Sequence, residues 1–347
     1  MSGVQHIEVA EDGDGQRLDR WLRRMFPQLR QGQIEKFCRK GDLRIDKGRV
    51  KANARLAAGQ VVRVPPLPLQ NASEQPASSP AISEADAEMI RSCVIYRDDA
   101  VIALNKPAGL PVQGGSGQRR HVDGLAEALR FDAEKPKLVH RLDKDTSGVL
   151  LLARTGRAAA ALAKSFHART TRKIYWAAVA GVPHPRMGTI RYGLVKAPGH
   201  GPHGAGEKMI CIHPDRVGET QGAKRATTDY AVIEALAKRV AWVGLVPITG
   251  RTHQLRAHMA EIGHPIVGDG KYGTNSQVNE GDGWGAQLGG SISRKLHLHA
   301  RSLAIPHPVN GSILSLTAPL PEHMQNTWDT LGFDAATAPE DPFEEVE

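Results

Sequence analysis

His140-Arg141-Leu142-Asp143-Lys144-Asp145-Thr146-Ser147-Gly148 runs straight into Val149-Leu150-Leu151-Leu152-Ala153. A polar string of nine residues set on an apolar, strand-sized run reads as a loop held by a rigid element, where chemistry-bearing groups are commonly carried. Asp143 alone would serve equally as a loop cap, and Arg17-Leu18-Asp19 repeats the same three letters in an unrelated helix. The whole string carries the information. Outward from it, Val94-Ile95-Tyr96, Val101–Leu104, Ile174–Ala180 and Val240–Val246 read as further strands, and Ala158–Ala168 and Gln254–Ile262 as helices. Strands and helices mixed without regular βαβ alternation predict an α+β domain over residues 91–322 around a mostly antiparallel sheet.

A second string, Thr249-Gly250-Arg251-Thr252-His253-Gln254-Leu255-Arg256-Ala257-His258, again leads from a strand through a glycine turn into a helix. His264-Pro265-Ile266-Val267-Gly268-Asp269-Gly270-Lys271-Tyr272-Gly273 follows it. His253, His258 and His264 are spaced five and six apart with no cysteine nearby, so the helical two-histidine zinc pattern fails. No GxGxxG, GxxxxGK[ST] or GxSxG string occurs, and Gln113-Gly114-Gly115-Ser116-Gly117 is too loose for a phosphate loop. No metal and no cofactor is expected.

The chain has 347 residues, 40% apolar and 24% charged, which excludes a collagen-like or wholly disordered protein. At roughly 150 residues per domain it holds two or three domains. No apolar run approaches a membrane span, Val149–Ala153 being only strand-sized, and Met1–His6 does not open a secretory signal. Cys38, Cys93 and Cys211 are odd in number and far apart, which argues against a disulfide framework and for a reducing cytoplasm.

The net charge of +8 is unevenly placed. Residues 17–66 hold fourteen Lys or Arg against four acids, and the rest of the chain sums to about −2. A short unit carrying the whole basic character has the electrostatic footprint of a polyanion binder. The plainer reading of a charge run is a solvated helix face. Leu18, Trp21, Leu22 and Met25 form an apolar stripe at helical spacing, with Arg20, Arg23 and Arg24 off it. A second helix is predicted over Gln31–Lys40, burying Ile34, Phe37 and Cys38 and ending at Gly41. Leu43–Ile45 and Val61–Val64 read as strands, with a turn at Asp46-Lys47-Gly48. The predicted layout is a small α/β nucleic-acid-binding module over 1–66, a Pro/Ser-rich linker over 67–90, the large domain over 91–322 and an acidic tail over 323–347.

The motifs together resemble the RluA family of RNA pseudouridine synthases. Asn105–Leu110, His140–Gly148, Lys173-Ile174-Tyr175, Ala226–Tyr230, Thr249–Tyr272 and Leu296–Ala300 carry that resemblance in order, and residues 17–66 are similar to the S4-type RNA-binding module that often precedes this domain. The layout around Pro111–Gly117 is most similar to the large-ribosomal-subunit type. Gln113 departs from it, standing where His is expected.

The resemblance implies conversion of uridine to pseudouridine in RNA, most of all 23S ribosomal RNA, without cofactor, on an eight-stranded, mixed, largely antiparallel central sheet with flanking helices. It implies that Asp143 is the essential carboxylate, attacking the anomeric carbon or removing the 2′ proton. Arg256 matches the guanidinium that pairs with this Asp in a bidentate grip, keeping it charged and aimed. Without the family, Arg256 would read as a surface helix residue. Tyr175 matches the aromatic that stacks on the base, although most strand tyrosines are core residues. Arg141 matches the side chain that fills the space of a flipped nucleotide; a phosphate contact is the plainer alternative. Arg20, Arg23, Arg24, Lys36, Arg39 and Lys40 are the expected RNA contacts of the basic module. His140, Lys106, Thr249, Gly250 and Asp269 read as scaffold, and His253 is unassigned. A monomer is expected. The rival readings are a non-catalytic RNA-binding or ribosome-assembly protein, a synthase acting on transfer RNA, and a glycosidase pairing Asp143 with Asp145.

Overall fold

The computed structural model describes residues 3–67, 82–114, 120–168, 171–197, 208–273, 292–333, 338–339 and 341–343. Linker residues 68–81, glycine-run residues 115–117 and tail residues 344–347 therefore lie outside it. Two compact units divide the chain, Met1–Ala81 and Ile82–Glu347.

The first unit runs β1 (Gln5–Glu8), α1 (Leu18–Met25), α2 (Gln31–Lys40), β2 (Arg44–Ile45), β3 (Gly48–Arg49) and β4 (Val61–Val64). Its antiparallel sheet has the order β1-β4-β2-β3. One core gathers Leu18, Trp21 and Leu22 of α1, Ile34 and Cys38 of α2, and Val62 and Val64 of β4. Gly41 closes α2 at φ 78°, and Asp46 and Lys47 turn β2 into β3 at φ 47° and 69°. Two expectations need correction. Met25 is 46% exposed because α1 ends there and Phe26 takes the buried position instead. Strand β1 was not foreseen: four residues with a single large apolar side chain, Ile7, form a strand only because β4 supplies a partner.

The second unit runs α3 (Glu84–Ser92), β5 (Val94–Arg97), β6 (Val101–Lys106), α4 (Val122–Leu125), β7 (Lys137–Leu138), β8 (Ser147–Ala153), α5 (Gly156–His167), β9 (Arg172–Ala180), β10 (Met187–Lys196), β11 (Met209–Ile212), β12 (Lys224–Leu236), β13 (Val240–Pro247), α6 (Gln254–Glu261), β14 (Leu298–Pro306), β15 (Ile313–Thr317) and α7 (Glu322–Thr330). The main path of the sheet is β11-β10-β12-β13-β9-β14-β8-β6-β5, with β15 on β14 and β7 on β8. Among the described pairs only β8 and β14 run parallel, so the sheet is mixed and mostly antiparallel as expected. It has eleven described strands rather than eight, the short β7 and β15 pairing off the main path.

Strand β8 is buried at all seven positions. Val149, Leu151 and Ala153 enter one core with α5, while Leu150 and Leu152 enter another with Ile90 of α3 and Leu125 of α4. That two-sided cover explains a continuous apolar run where a half-exposed strand would alternate. Each such leucine contributes about 1.5–3 kcal/mol of burial free energy. Gly148 opens the strand at φ 106°, and a Cβ there would collide with the Ala300 carbonyl of β14. Only glycine allows the two backbones to meet at the mouth of the loop.

Both expected flanks are corrected. The predicted linker over 67–90 contains most of α3, capped by the Ser83 hydroxyl accepting the Asp86 N–H, with Ile90 fully buried. The predicted tail over 323–347 contains nearly all of α7. Trp328 of α7 stacks on Trp176 at 5.5 Å and meets Trp242 edge-on at 4.8 Å, closing the core under β9 and β13. Few apolar residues per turn hid both helices, although Met324 and Trp328 are spaced to share one face.

Candidate active site

The loop before β8 is pinned on both sides of Asp143. Upstream, His140 stacks on Phe166 of α5 at 4.3 Å, and its Nε2 accepts the Leu151 N–H at 2.8 Å. Burial pushes this imidazole down to about 3, consistent with a nitrogen that must stay unprotonated to accept. Downstream, the Lys144 carbonyl accepts the Gly109 N–H at 2.9 Å and Lys106 Nζ at 3.0 Å. Lys106 is wholly buried and also donates to the Pro107 and Leu110 carbonyls, each at 2.9 Å. Its burial drives the ammonium down to about 7, against the charges of Asp145 and Asp143. Behind the loop, the Ser147 hydroxyl meets Nδ1 of buried His299 at 2.9 Å, tying β8 to β14. His140 and Lys106 thus have the scaffold role read from sequence.

Helix α6 brings the second string to the first. Residues Gln254 to Met259 are all buried, including Arg256 and His258, so this helix has no solvent face to explain its arginine. Gln254 Oε1 accepts the Thr249 hydroxyl at 2.7 Å and the Arg251 N–H at 3.1 Å, which fixes the entry to the helix. Arg256 Nη1 lies 3.6 Å from Asp143 Oδ2. The expected bidentate grip on Asp143 is not there. Arg256 Nε and Nη2 donate instead to Asp269, at 2.7 and 2.8 Å. Asp269 has a wholly buried side chain, and Gly268, at φ 73°, delivers it past the Lys295 carbonyl that a Cβ would strike. Burial opposes the Arg256 charge, but the Asp269 hydrogen bonds and the Asp269 and Asp143 carboxylates outweigh it and raise its pKa. The guanidinium is permanently charged, gripped by one carboxylate and presented to another.

Tyr175 sits on β9, registered against Leu245 of β13 and Ala300 of β14, with its ring packed between two apolar clusters. Burial first, and then the Asp143 charge, raise its hydroxyl pKa. Asp143 and Arg256, apart in sequence, are thus brought together, with the Tyr175 hydroxyl within reach of the Asp143 charge. Asp143 keeps 30% of its side-chain surface open, enough for a substrate to approach. Arg141 is exposed two residues before it, and Asp145 is exposed two residues after it.

Arg20, Arg23, Arg24, Lys36, Arg39 and Lys40 are all exposed on the first unit. Arg24 is committed to Asp12 at 2.9 Å. Two neighbours of the carboxylate were not singled out from sequence as partners of the site. His253 Nε2 is 3.7 Å from Asp143 Oδ2, and His253 Nδ1 is 3.0 Å from the Tyr272 hydroxyl. The available signal was position: His253 precedes α6 directly, and Tyr272 closes the glycine-rich string that carries Asp269.

Residues 100–261 match the family model described as RNA pseudouridylate synthase. The chain is 34% identical over 322 residues to the ribosomal large subunit pseudouridine synthase C of Vibrio cholerae, covering 93% of this chain and 95% of that protein. It is 36% identical over 327 residues to the protein of the same description in Haemophilus influenzae, covering 93% and 94%. Among solved structures, human RNA pseudouridylate synthase domain containing 4 superposes with a TM-score of 0.57 at 31% identity, over 71% of this chain and 95% of that one. A mixed sheet of this topology, a matched domain spanning both strings, and relatives similar along nearly their whole length give one answer: the chain belongs to the RNA pseudouridine synthase family.

Proposed function

We propose that this protein isomerises uridines to pseudouridine in the 23S RNA of the large ribosomal subunit, with Asp143 as the carboxylate that starts the reaction. The isomerisation breaks the N1–C1′ bond of uridine, turns the base and forms a C5–C1′ bond, while C5 gives up its proton to water and N1 takes one up. Atoms balance within the nucleotide, so no redox partner or group donor is required. Asp143 acts as nucleophile at C1′ or as base at C2′; both roles use the same ionised carboxylate. Arg256 keeps it company as a fixed positive charge, Tyr175 offers the detached base a flat face, and Arg141 enters the space the extruded nucleotide leaves.

The observation that carries this reading is the buried Arg256 guanidinium aimed at the partly open Asp143 carboxylate from a separate string, 3.6 Å away. A purely RNA-binding protein has no use for a buried arginine aimed at a half-exposed aspartate. The basic first unit supplies sequence-independent grip on structured RNA, and the whole acts as a monomer in the cytoplasm. Large-ribosomal-subunit RNA is favoured as substrate because the relatives similar over more than nine-tenths of this chain carry that description.

The test is tritium release from 5-tritiated uridine in ribosomal RNA. Asp143→Asn abolishes release while RNA binding stays close to the parent level; wild-type turnover in that variant overturns the assignment. Mapping carbodiimide-modified stops in RNA from cells with and without the protein then reads out the target. Stops lost only from transfer RNA overturn the ribosomal substrate.

A further inference from the structure

His253 bridges two groups whose proton inventories fix its own. The Tyr272 oxygen accepts the Met209 N–H at 2.8 Å. That backbone N–H can only donate, so the phenol proton is left for another acceptor. The acceptor beside it is His253 Nδ1, at 3.0 Å. Burial pushes the Tyr272 hydroxyl up to about 12, so the phenol keeps its proton to give. An imidazole accepting at Nδ1 and uncharged must carry its proton on Nε2. Burial, with Arg256 and Lys271, lowers the His253 pKa despite the opposing charges of Asp143 and Asp269, which keeps the ring neutral. The protonated Nε2 faces Asp143 Oδ2 at 3.7 Å, the same oxygen that Arg256 Nη1 approaches at 3.6 Å. Among the described residues no donor engages Oδ1.

The backbone gives a second, independent sign. His253 is in the left-handed region, at φ 51° and ψ 22°, directly before α6. A residue with a Cβ is disfavoured there. Non-glycine strain of this kind persists where the surroundings over-determine it and gathers at functional sites. At His253 the strained turn is what carries the ring to Asp143 and Tyr272.

We propose that His253 is a positioning residue for the uridine isomerisation: its tautomer is set by Tyr272, it shares Oδ2 of Asp143 with Arg256, and it thereby leaves Oδ1 as the oxygen that meets the ribose. The inference rests on Asp143 being the reacting carboxylate. Both contacts are longer than hydrogen bonds in the free protein and tighten when RNA displaces water from the carboxylate, a common change on forming a Michaelis complex. Two donors on one oxygen prevent the carboxylate from rotating and direct a lone pair of the other outward. A ring protonated on Nε2 has no lone pair to offer there, so His253 is not the base that removes the C5 proton.

The test combines imidazole nitrogen NMR of the full-length protein with single-turnover kinetics. The wild-type His253 signals, assigned by their loss in His253→Gln, should show the neutral Nε2–H tautomer at pH 7, and Tyr272→Phe should move them toward a tautomer mixture. His253→Asn tolerates the left-handed backbone but is too short to reach Asp143. It should lower the rate about 100-fold, as a misplacement of about 1 Å does, with RNA affinity unchanged. His253→Gln, whose amide nitrogen reaches the Nε2 position, should recover most of that loss. A wild-type Nδ1–H tautomer overturns the proposal, as does a His253→Asn rate equal to wild type in a protein whose Asp143→Asn variant is inactive. Full turnover by Asp143→Asn itself removes the parent assignment instead.

Discussion

Arg256 holds Asp269, not Asp143, in its two-pronged grip, and meets Asp143 with its remaining nitrogen at 3.6 Å. The arrangement separates two tasks. A buried carboxylate keeps the guanidinium fixed and charged, while the half-exposed one is free to react. Breaking a buried ion pair from one side costs about 3–5 kcal/mol, because the other charge is left uncompensated.

Asp269→Asn is therefore expected to destabilise the protein by about 3 kcal/mol, the low end of that range, since the amide keeps one acceptor for Arg256. It is also expected to lower the rate about 100-fold through a displaced guanidinium. Urea unfolding and tritium release check the two effects separately. Loss of stability with full activity would show that Arg256 does not depend on Asp269 for its aim.

Lys106 gives a prediction with a pH sign. Its folded pKa of about 7 lies below the ordinary value of 10.5, so between those limits the unfolded chain holds more protons than the folded one. Stability from this group then rises with pH across that window. Activity should move the opposite way, because a neutral amine has two N–H groups for three carbonyls and releases the loop beside Asp143. Lys106→Met removes both dependences. Thermal melts and rates from pH 7 to 10 on the two proteins compare them, and parallel pH profiles would refute the role given to the buried ammonium.

Much of the large domain is legible from sequence because its signals are local. β8 and β13 announce themselves as apolar runs, α5 as an alanine-rich helix capped by Thr155, and Asp143 by the nine-residue string around it. What stayed hidden depends on partners far along the chain. Strand β1 exists through β4, α7 through two tryptophans on β9 and β13, and the grip of Arg256 through an aspartate thirteen positions away. The pairing of Asp143 with Arg256 was expected from family resemblance; that Asp269 takes the stronger bonds is a matter of three-dimensional geometry. His253 could not be assigned because its tautomer is decided by a phenol and a backbone amide from two other segments.

Four histidines set the acid limit: beside His140, already pushed down to about 3, stand three more whose rings are lowered by burial. His258, His297 and His299 are fully buried, and burial pushes each down to about 4 from 6.5. The neutral rings contribute fully above pH 6.5, and that contribution is lost as pH falls toward 4, because the unfolded chain takes up protons that the folded one refuses. Each proton is worth about 1.4 kcal/mol per pH unit over that window. Urea midpoints measured from pH 7 to 4 should fall steeply, and His297→Gln should remove about a quarter of the slope. A midpoint flat over that range would mean that the rings titrate alike in both states.

The first unit makes an electrostatic prediction that is independent of the chemistry. Arg20, Arg23, Lys36 and Arg39 are exposed, whereas Arg24 already has Asp12 as a partner at 2.9 Å. Each lysine or arginine that neutralises a phosphate releases counterions, and removing it lowers the slope of log affinity against log salt by about 0.9 on duplex or 0.7 on single-stranded nucleic acid. Alanine at Arg20, Arg23, Lys36 and Arg39 together should thus weaken binding to structured ribosomal RNA and flatten the slope by about three units, with the single-turnover rate at saturating RNA retained. Arg24→Ala should do less than any of the four, because its charge is already met by Asp12. Titrations from 50 to 200 mM salt read the slope directly, the range over which such contacts cost about 10³–10⁵ in affinity when six to ten are made. An unchanged slope in the fourfold variant would mean that these helices face solvent and not RNA, and the anchoring role would pass to the basic residues around Asp143.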